Sequence, residues 1–339
     1  MENKPVIASA VPIQNYIARN DTTYIEKSKA DNTQKAYKAD WKCFTKWCDA
    51  RNLTPFPATP DMVKDYIEDL AEGRIGPSHL PLEKRKKKTS TIMRRLSAIK
   101  EIHDVMYEEL GMEEHKNPAD AKRVKASLQG IKRELGIAKK GKAALNTDIA
   151  KLIYKELDDS LMSLRDKALI ATGLTAGLRR SELCALNRED IDFHEKGASI
   201  YIRKSKTDQL GEGQYKAMFF EQRKKDLCPV RILQQWVTQA KIGSGAVFRK
   251  FDRHGNILGR LSGDGVGYII KRACEQAGFN PKDYAAHSLR SGFVTSAYAK
   301  GKNLHSIMRQ TGHKSVDVAR GYIRSKDIFE DNASEGLWE

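Results

Sequence analysis

Apolar residues return every three or four positions through much of the first third of the chain. In "NTQKAYKADWKCFTKWCDARN", Tyr37, Trp41, Phe44 and Cys48 keep that spacing, with Trp47 beside them. Such a stripe predicts an amphipathic helix. "ATPDMVKDYIEDLAEG" predicts a second one and carries its own punctuation. Thr59 suits the cap, Pro60 the first turn and Gly73 the stop, around a stripe of Met62, Val63, Tyr66, Ile67 and Leu70. "TSTIMRRLSAIKEIHDVMYEEL" predicts a third, with Ile92, Leu96, Ile99, Ile102, Val105 and Met106 inward and Arg94 and Arg95 on the opposite side. Residues 1–20 show no period and are expected to be loose. Residues 21–138 therefore read as a small helical domain.

Beyond about residue 143 the pattern mixes. "DKALIATGLTAGLRRSELCAL" reads as helix, glycine turn, helix. "ASIYIRKSK" and "YKAMFF" alternate like strands, separated by the polar loop "TDQLGEG". "GVGYIIKRACEQAG" returns to helical spacing. The expected fold is mainly α with a small β-sheet: a helical domain, then an α+β domain over residues 139–339. No repeat or heptad seam is present.

Charge adds a partner to this picture. The 339 residues hold 60 Lys and Arg against 44 Asp and Glu, a formal charge of +16. The excess is clustered in "EKRKKKTSTIMRR" and "AKRVKASLQGIKRELGIAKKGK". Clustered cations suit a polyanion, because each neutralised phosphate releases condensed counterions. Arg94, Arg95, Lys132, Arg133, Lys139 and Lys140 are the candidate DNA contacts. The five cysteines are odd in number and form no C-x-x-C, which excludes a disulfide framework and a zinc finger. No apolar run is long enough to span a bilayer, and the first residues lack a basic start followed by an apolar core. No membrane role and a reducing cytoplasm are expected.

The C-terminal third concentrates chemistry. "HSLR" places His287 and Arg290 on one helical face, "TGHKS" supplies His313 and "GYIR" supplies Tyr322. Two histidines without H-x-x-x-H spacing or paired acids make a poor metal site. A free phenol is ionised to roughly one part in a thousand at neutral pH, so a tyrosine nucleophile needs cations or a base beside it. Attack on a phosphodiester adds charge to the non-bridging oxygens, and guanidinium forks match that geometry. The leaving sugar oxygen needs an acid. No G-x-x-x-x-G-K-[ST] occurs, and an ester to tyrosine would keep the energy of the broken bond, so no cofactor and no metal are expected.

Taken in order, "TAGLRRSELCAL", "RKSKT", "HSLR", "TGHKS" and "VARGYIR" resemble the motifs of the tyrosine recombinase (phage integrase) family. The resemblance implies Arg179 with its associated acid Glu182, then Lys206, His287, Arg290, His313 and the nucleophile Tyr322. Lys204, two residues away, and Lys216, across the loop, compete for the lysine role. "NTQKAYKADWKCFTKWC" and "NPADAKRVKASLQGIKRE" look like the family's helical core-binding (SAM-like) domain, so the likeness extends from about residue 30. The layout is similar to the simple two-domain recombinases of the Cre type, without an added arm-binding domain of the lambda integrase kind. At His313 the chain has the histidine of the wider family, where Cre has tryptophan.

The resemblance implies double-stranded DNA with an inverted-repeat site, a 3′-phosphotyrosine intermediate and a homotetramer holding two sites. Ile328, Phe329, Leu337 and Trp338 in the last residues, 327–339, are too few for a core and need a groove, on their own protomer or, as the resemblance implies, on a neighbouring subunit. The rival readings are a type IB topoisomerase-like enzyme that only nicks and reseals, and a DNA-binding regulator without catalysis.

Overall fold

The structure is a computed structural model that describes residues 31–322 apart from 113, 139–140, 206–207 and 209–210. The expectations for residues 1–20, for the tail and for Lys139, Lys140 and Lys206 lie outside the described residues. The chain divides into two compact units, 1–139 and 140–339.

The first unit is helical. Helices α1 (Asp31–Asp49), α2 (Pro60–Glu72), the short α3 (Leu82–Arg85), α4 (Thr89–Glu109) and α5 (Lys122–Leu135) follow one another. The three helices expected from periodicity are present. Trp41, Phe44, Trp47 and Cys48 of α1 are buried against Val63, Tyr66, Ile67 and Leu70 of α2 and Ile92, Ile99, Ile102 and Met106 of α4. The Thr59 hydroxyl accepts from the Met62 N–H, and Gly73 closes α2 with φ +79°. A Cβ on Gly73 would come within 2.2 Å of the Leu82 carbonyl oxygen, so the stop needs glycine twice over. The basic run 122–135 conceals a further amphipathic helix, α5, whose Val124 and Ile131 are buried.

Two polar groups brace this core. Asp69, 4% exposed, accepts from the Trp47 indole N–H at 2.8 Å and from Arg51 at 2.6 Å and Arg74 at 2.7 Å. His103 is fully buried; its Nε2 faces the Ala58 N–H at 3.0 Å and its Nδ1 the Ile99 carbonyl at 2.8 Å. An N–H can only donate and a carbonyl only accept, so the ring is neutral with its proton on Nδ1. Burial holds its pKa down to about 4. The unfolded ring titrates near 6.5, so stability from neutral His103 is complete above that pH and is lost as pH falls towards 4. Chemical unfolding of the full chain between pH 7 and 4 should lose about 3 kcal/mol from this ring alone. His103→Gln, which cannot take up the proton, should flatten that part of the decline; an unchanged decline would remove His103 as its source.

The second unit wraps helices around a small sheet. It runs α6 (Thr147–Glu156), α7 (Leu161–Thr175), α8 (Arg180–Ala185), β1 (Ile191–His194), β2 (Gly197–Ile202), β3 (Gln214–Phe219), α9 (Pro229–Gln239), β4 (Arg249–Phe251), β5 (Ile257–Arg260), α10 (Gly263–Gln276), α11 (His287–Ala299), α12 (Leu304–Thr311) and α13 (Val316–Arg320). Strands β1, β2 and β3 form an antiparallel meander, and β4 and β5 a separate hairpin. Helix α7 is buried nearly all round, with Ala168, Leu169, Ile170, Ala171 and Leu174 inside and the buried Arg165 paired to Asp166, and so forms the middle of the core. Helix α11 comes close to the segment ahead of α6: a Cβ on Gly292 would meet the Leu145 carbonyl oxygen at 1.7 Å. Strand β2 stops at Ile202, earlier than alternation suggests. Arg203 turns away to Asp190 at 2.5 Å, and Asp208 accepts from the N–H groups of Gly211, Glu212 and Gly213, which organises a longer hairpin loop.

Candidate active site

The site is assembled from the ends of helices. Helix α7 finishes at Thr175, and Gly177, at φ +62°, reverses the chain. Arg179 then becomes the residue capping α8. Glu182, 3% exposed in the first turn of α8, accepts from the Arg179 main-chain N–H at 2.8 Å and from its guanidinium at 2.6 Å. One carboxylate thus fixes both ends of this arginine, and its place at a helix N-terminus suits the charge. The Arg179 Nη2 donates to the Gly312 carbonyl at 3.3 Å.

Helix α11 begins at His287 and presents Arg290 one turn later. Arg290 is 1% exposed, and its Nη1 donates to the Gly177 carbonyl at 2.8 Å. Its Nη2 is buried and finds no acceptor among the described residues. Burial, then the neighbouring Arg179, pulls its pKa down to about 10. Two guanidiniums held this close, with the Nη2 amino group of Arg290 unused, make a strong anion seat.

Helix α12 stops at Thr311, where Gly312 at φ +68° hooks the chain back. That turn brings the His313 Nδ1 to 2.8 Å from the Thr311 hydroxyl. Burial, followed by the charges of Arg290 and Arg179, lowers the His313 pKa to about 4. Burial and the same two arginines lower that of His287. Tyr322 follows α13, and its hydroxyl lies 2.6 Å from the His287 Nε2. Its ring centroid lies 5.7 Å from that of His287 and 5.5 Å from that of His313. Six of the seven expected site residues, Arg179, Glu182, His287, Arg290, His313 and Tyr322, thus come together from sequence positions far apart. Among the described residues no three His, Cys, Asp or Glu side chains converge as metal ligands.

The seventh, Lys206, is outside the described residues. A different lysine stands in the site. Lys216 lies on the inner face of β3, 2% exposed, and its ammonium donates to the Gln310 carbonyl and, at 2.9 Å, to the Gln214 Oε1. Burial is the main reason its pKa falls to about 8; Glu182 opposes the fall and the two arginines add to it. Register was the available signal: Tyr215, Ala217 and Phe219 are exposed while Lys216 and Met218 alternate inward.

The DNA-contact candidates are placed unevenly. Both nitrogens of the Arg94 fork donate to Asp40, at 2.8 and 2.9 Å, and Arg95 reaches Tyr66 at 3.2 Å and Asp40 at 3.6 Å. Asp40 is buried, so these arginines neutralise an interior carboxylate; the Arg94 side chain remains half-exposed and that of Arg95 mostly covered. Lys132 and Arg133 sit in the last turn of α5, with Arg133 exposed.

Two guanidiniums, a buried ammonium and two imidazoles of lowered pKa make one cationic pocket beside a phenol, a setting suited to binding a phosphate group. Residues 143–328 match the phage integrase family. The chain is 38% identical over 316 residues to an integrase/recombinase XerD homologue of Selenomonas ruminantium, covering 93% of this chain and 87% of that one. It is 27% identical over 299 residues to a tyrosine recombinase XerC of Thermodesulfovibrio yellowstonii, covering 88% and 87%. Among solved structures, the Tn1549 transposon integrase in complex with transposon right-end DNA has a TM-score of 0.60 at 15% identity, covering 94% of each chain. A lambda integrase dimer bound to a COC′ core site has 0.61 at 16% identity, covering 93% of this chain and 78% of that one. The chain belongs to the phage integrase family, the tyrosine recombinases.

Proposed function

We propose that this recombinase acts on double-stranded DNA at inverted-repeat sites, cutting and rejoining strands through a 3′-phosphotyrosine intermediate as a tetramer on two sites. The observation that carries the reading is the 2.6 Å contact between the Tyr322 hydroxyl and His287 beside the paired guanidiniums of Arg179 and Arg290. The DNA complexes of the two structural neighbours and the +16 formal charge support DNA as the partner. No described helix is long and apolar enough to cross a membrane, and a bacterial cytoplasm is the setting we propose.

The Tyr322 oxygen bonds to phosphorus and its proton passes to the neutral His287 Nε2. The bond from phosphorus to the 5′-oxygen breaks, and that oxygen takes a proton from a lysine acid, for which Lys206 is the family's choice. Arg290, through its unused Nη2, and Arg179 hold the non-bridging oxygens. His313, with its Nδ1 2.8 Å from the Thr311 hydroxyl, gives the same phosphate a hydrogen bond. Glu182 acts on Arg179 and not on the DNA. Resealing runs the step backwards with a partner strand's 5′-hydroxyl.

Assembly is assigned to the tail. The second unit carries a cavity of about 410 Å³ whose lining includes Phe219, Phe293, Ala297 and Ile307, with Lys300 and Lys302. The segment 327–339 offers Ile328, Phe329, Leu337 and Trp338 among five acids, which matches that lining in polarity and charge. A plasmid with two sites decides the reading. Deletion or inversion products are expected, and removal of residues 327–339 should stop them while sparing half-site binding. Relaxed circles alone would replace recombination with topoisomerase-like nicking and resealing.

A further inference from the structure

Lys216 stands where a lysine is expensive to keep. It occupies an inward position of β3, opposite Ile200 of β2 and alternating with buried Met218. Its ammonium is among the most deeply buried charged groups of the second unit, yet it makes no ion-pair contact with a carboxylate among the described residues. An ammonium taken out of water without a partner charge is costly, so a purely apolar residue would suit this face better.

What the ammonium does touch is the end of α12. It donates to the carbonyl of Gln310, one of the last carbonyls of that helix, which have no partner within the helix itself. A cation at a helix C-terminus also complements the helix dipole. Two further bonds stitch the same place to β3: the Gln214 amide donates to the Arg309 carbonyl at 3.0 Å, and the Gln310 amide to the Ala217 carbonyl at 2.8 Å. Gly312 lies against this knot; a Cβ there would stand 3.0 Å from the Gln214 Oε1 and 3.7 Å from the Lys216 Nζ. The next residue is His313, and the Gly312 carbonyl itself receives Arg179.

We propose that Lys216 is a positioning residue of the strand-transfer reaction: by gripping the Gln310 carbonyl from β3, it sets the left-handed turn at Gly312 and so the places of His313 and Arg179. It is not the proton donor to the leaving oxygen, because two of its three N–H groups hold Gln310 and Gln214 and the side chain is buried at 2% exposure. The inference rests on the strand-transfer reading proposed above. The groups that act on the His313 ring are Arg290 of α11, Arg179 ahead of α8, His287 at the start of α11 and Lys216 of β3, with the Tyr322 ring alongside. Removing Lys216 therefore has an electrostatic signature at His313 that loss of packing alone would not give.

The test uses the full chain with a half-site DNA that traps the covalent adduct, cleaved in a single turnover. Two versions of the DNA are compared, one with an ordinary 5′-oxygen at the scissile bond and one with a 5′-bridging sulfur, whose thiolate leaves without an acid. Lys216→Met should bind the half-site as wild type does and cleave both DNAs about tenfold to a hundredfold more slowly, the usual scale for a group that orients the reacting site. The imidazole signal of His313 should titrate at higher pH in Lys216→Met, and Lys216→Arg should recover much of the rate. Recovery of Lys216→Met by the sulfur substrate would make Lys216 the acid and overturn the proposal, as would a wild-type rate on the ordinary DNA. Where Lys216→Met does not fold, Gln214→Met carries the test: slower cleavage at equal binding supports the grip on α12, and a wild-type rate overturns it. Absence of any adduct from the wild-type chain would instead defeat the strand-transfer reading itself.

Discussion

Tyr322→Phe should abolish covalent protein–DNA adducts while leaving half-site binding close to wild type. The change removes one oxygen and keeps the ring, which lies against both imidazoles at 5.7 and 5.5 Å. Packing is therefore preserved and the only loss is the oxygen proposed as the nucleophile. No other described hydroxyl shares the contact with His287 at 2.6 Å, so no substitute is in place. The measurement is a denaturing gel of the variant with end-labelled half-site DNA, beside a binding assay under the same salt. Adducts that persist in the variant would take the nucleophile's role away from Tyr322.

Arg290→Ala should slow single-turnover cleavage by at least about a hundredfold, the scale for deleting one preorganised donor to a developing charge. Arg290 is 1% exposed and the Nη2 amino group of its fork is unspent, so its charge acts in a dry, fixed setting. Arg290→Lys should restore little, because an ammonium offers no planar fork to both the Gly177 carbonyl and a phosphate. A second signature follows from charge. Arg290 lowers the pKa of both His287 and His313, so its removal raises both. The acid limb of the cleavage profile, set in the proposed mechanism by neutral His287, should move to higher pH. Loss of the bond to Gly177 leaves a buried carbonyl unpaired, about 1–3 kcal/mol, so unfolding must be measured beside the rate. A cleavage rate within a few-fold of wild type would remove Arg290 from the phosphate.

The helices of the first unit were legible because their signals are local. A stripe such as Val63, Tyr66, Ile67 and Leu70, closed by Thr59 and Gly73, depends on residues no more than four apart. Helix α5 was harder to see: its basic residues outnumber Val124, Leu128, Ile131 and Leu135, and charge obscured the stripe. The short strands β1, β4 and β5 carry too few residues for alternation to stand out. The site was legible in part because its residues fall in compact motifs. Six of them meet at the ends of α7, α11, α12 and α13, and the glycines at 177 and 312 explain how the chain turns to bring them there.

By itself the sequence determined the class of fold, the helical stripes and caps, the excess of positive charge, and the order of arginine, histidine, arginine, histidine and tyrosine. Only the tertiary structure decided what each charge is spent on. Asp40 engages Arg94 across 54 residues, Asp69 draws in Arg51, Arg74 and the Trp47 indole, and Lys216 holds the end of a helix 94 residues further on. The reason is range. Periodicity and capping are settled by neighbours along the chain, whereas the partner of a buried charge is whichever group the packed core brings beside it, and desolvation makes that partner decide its role.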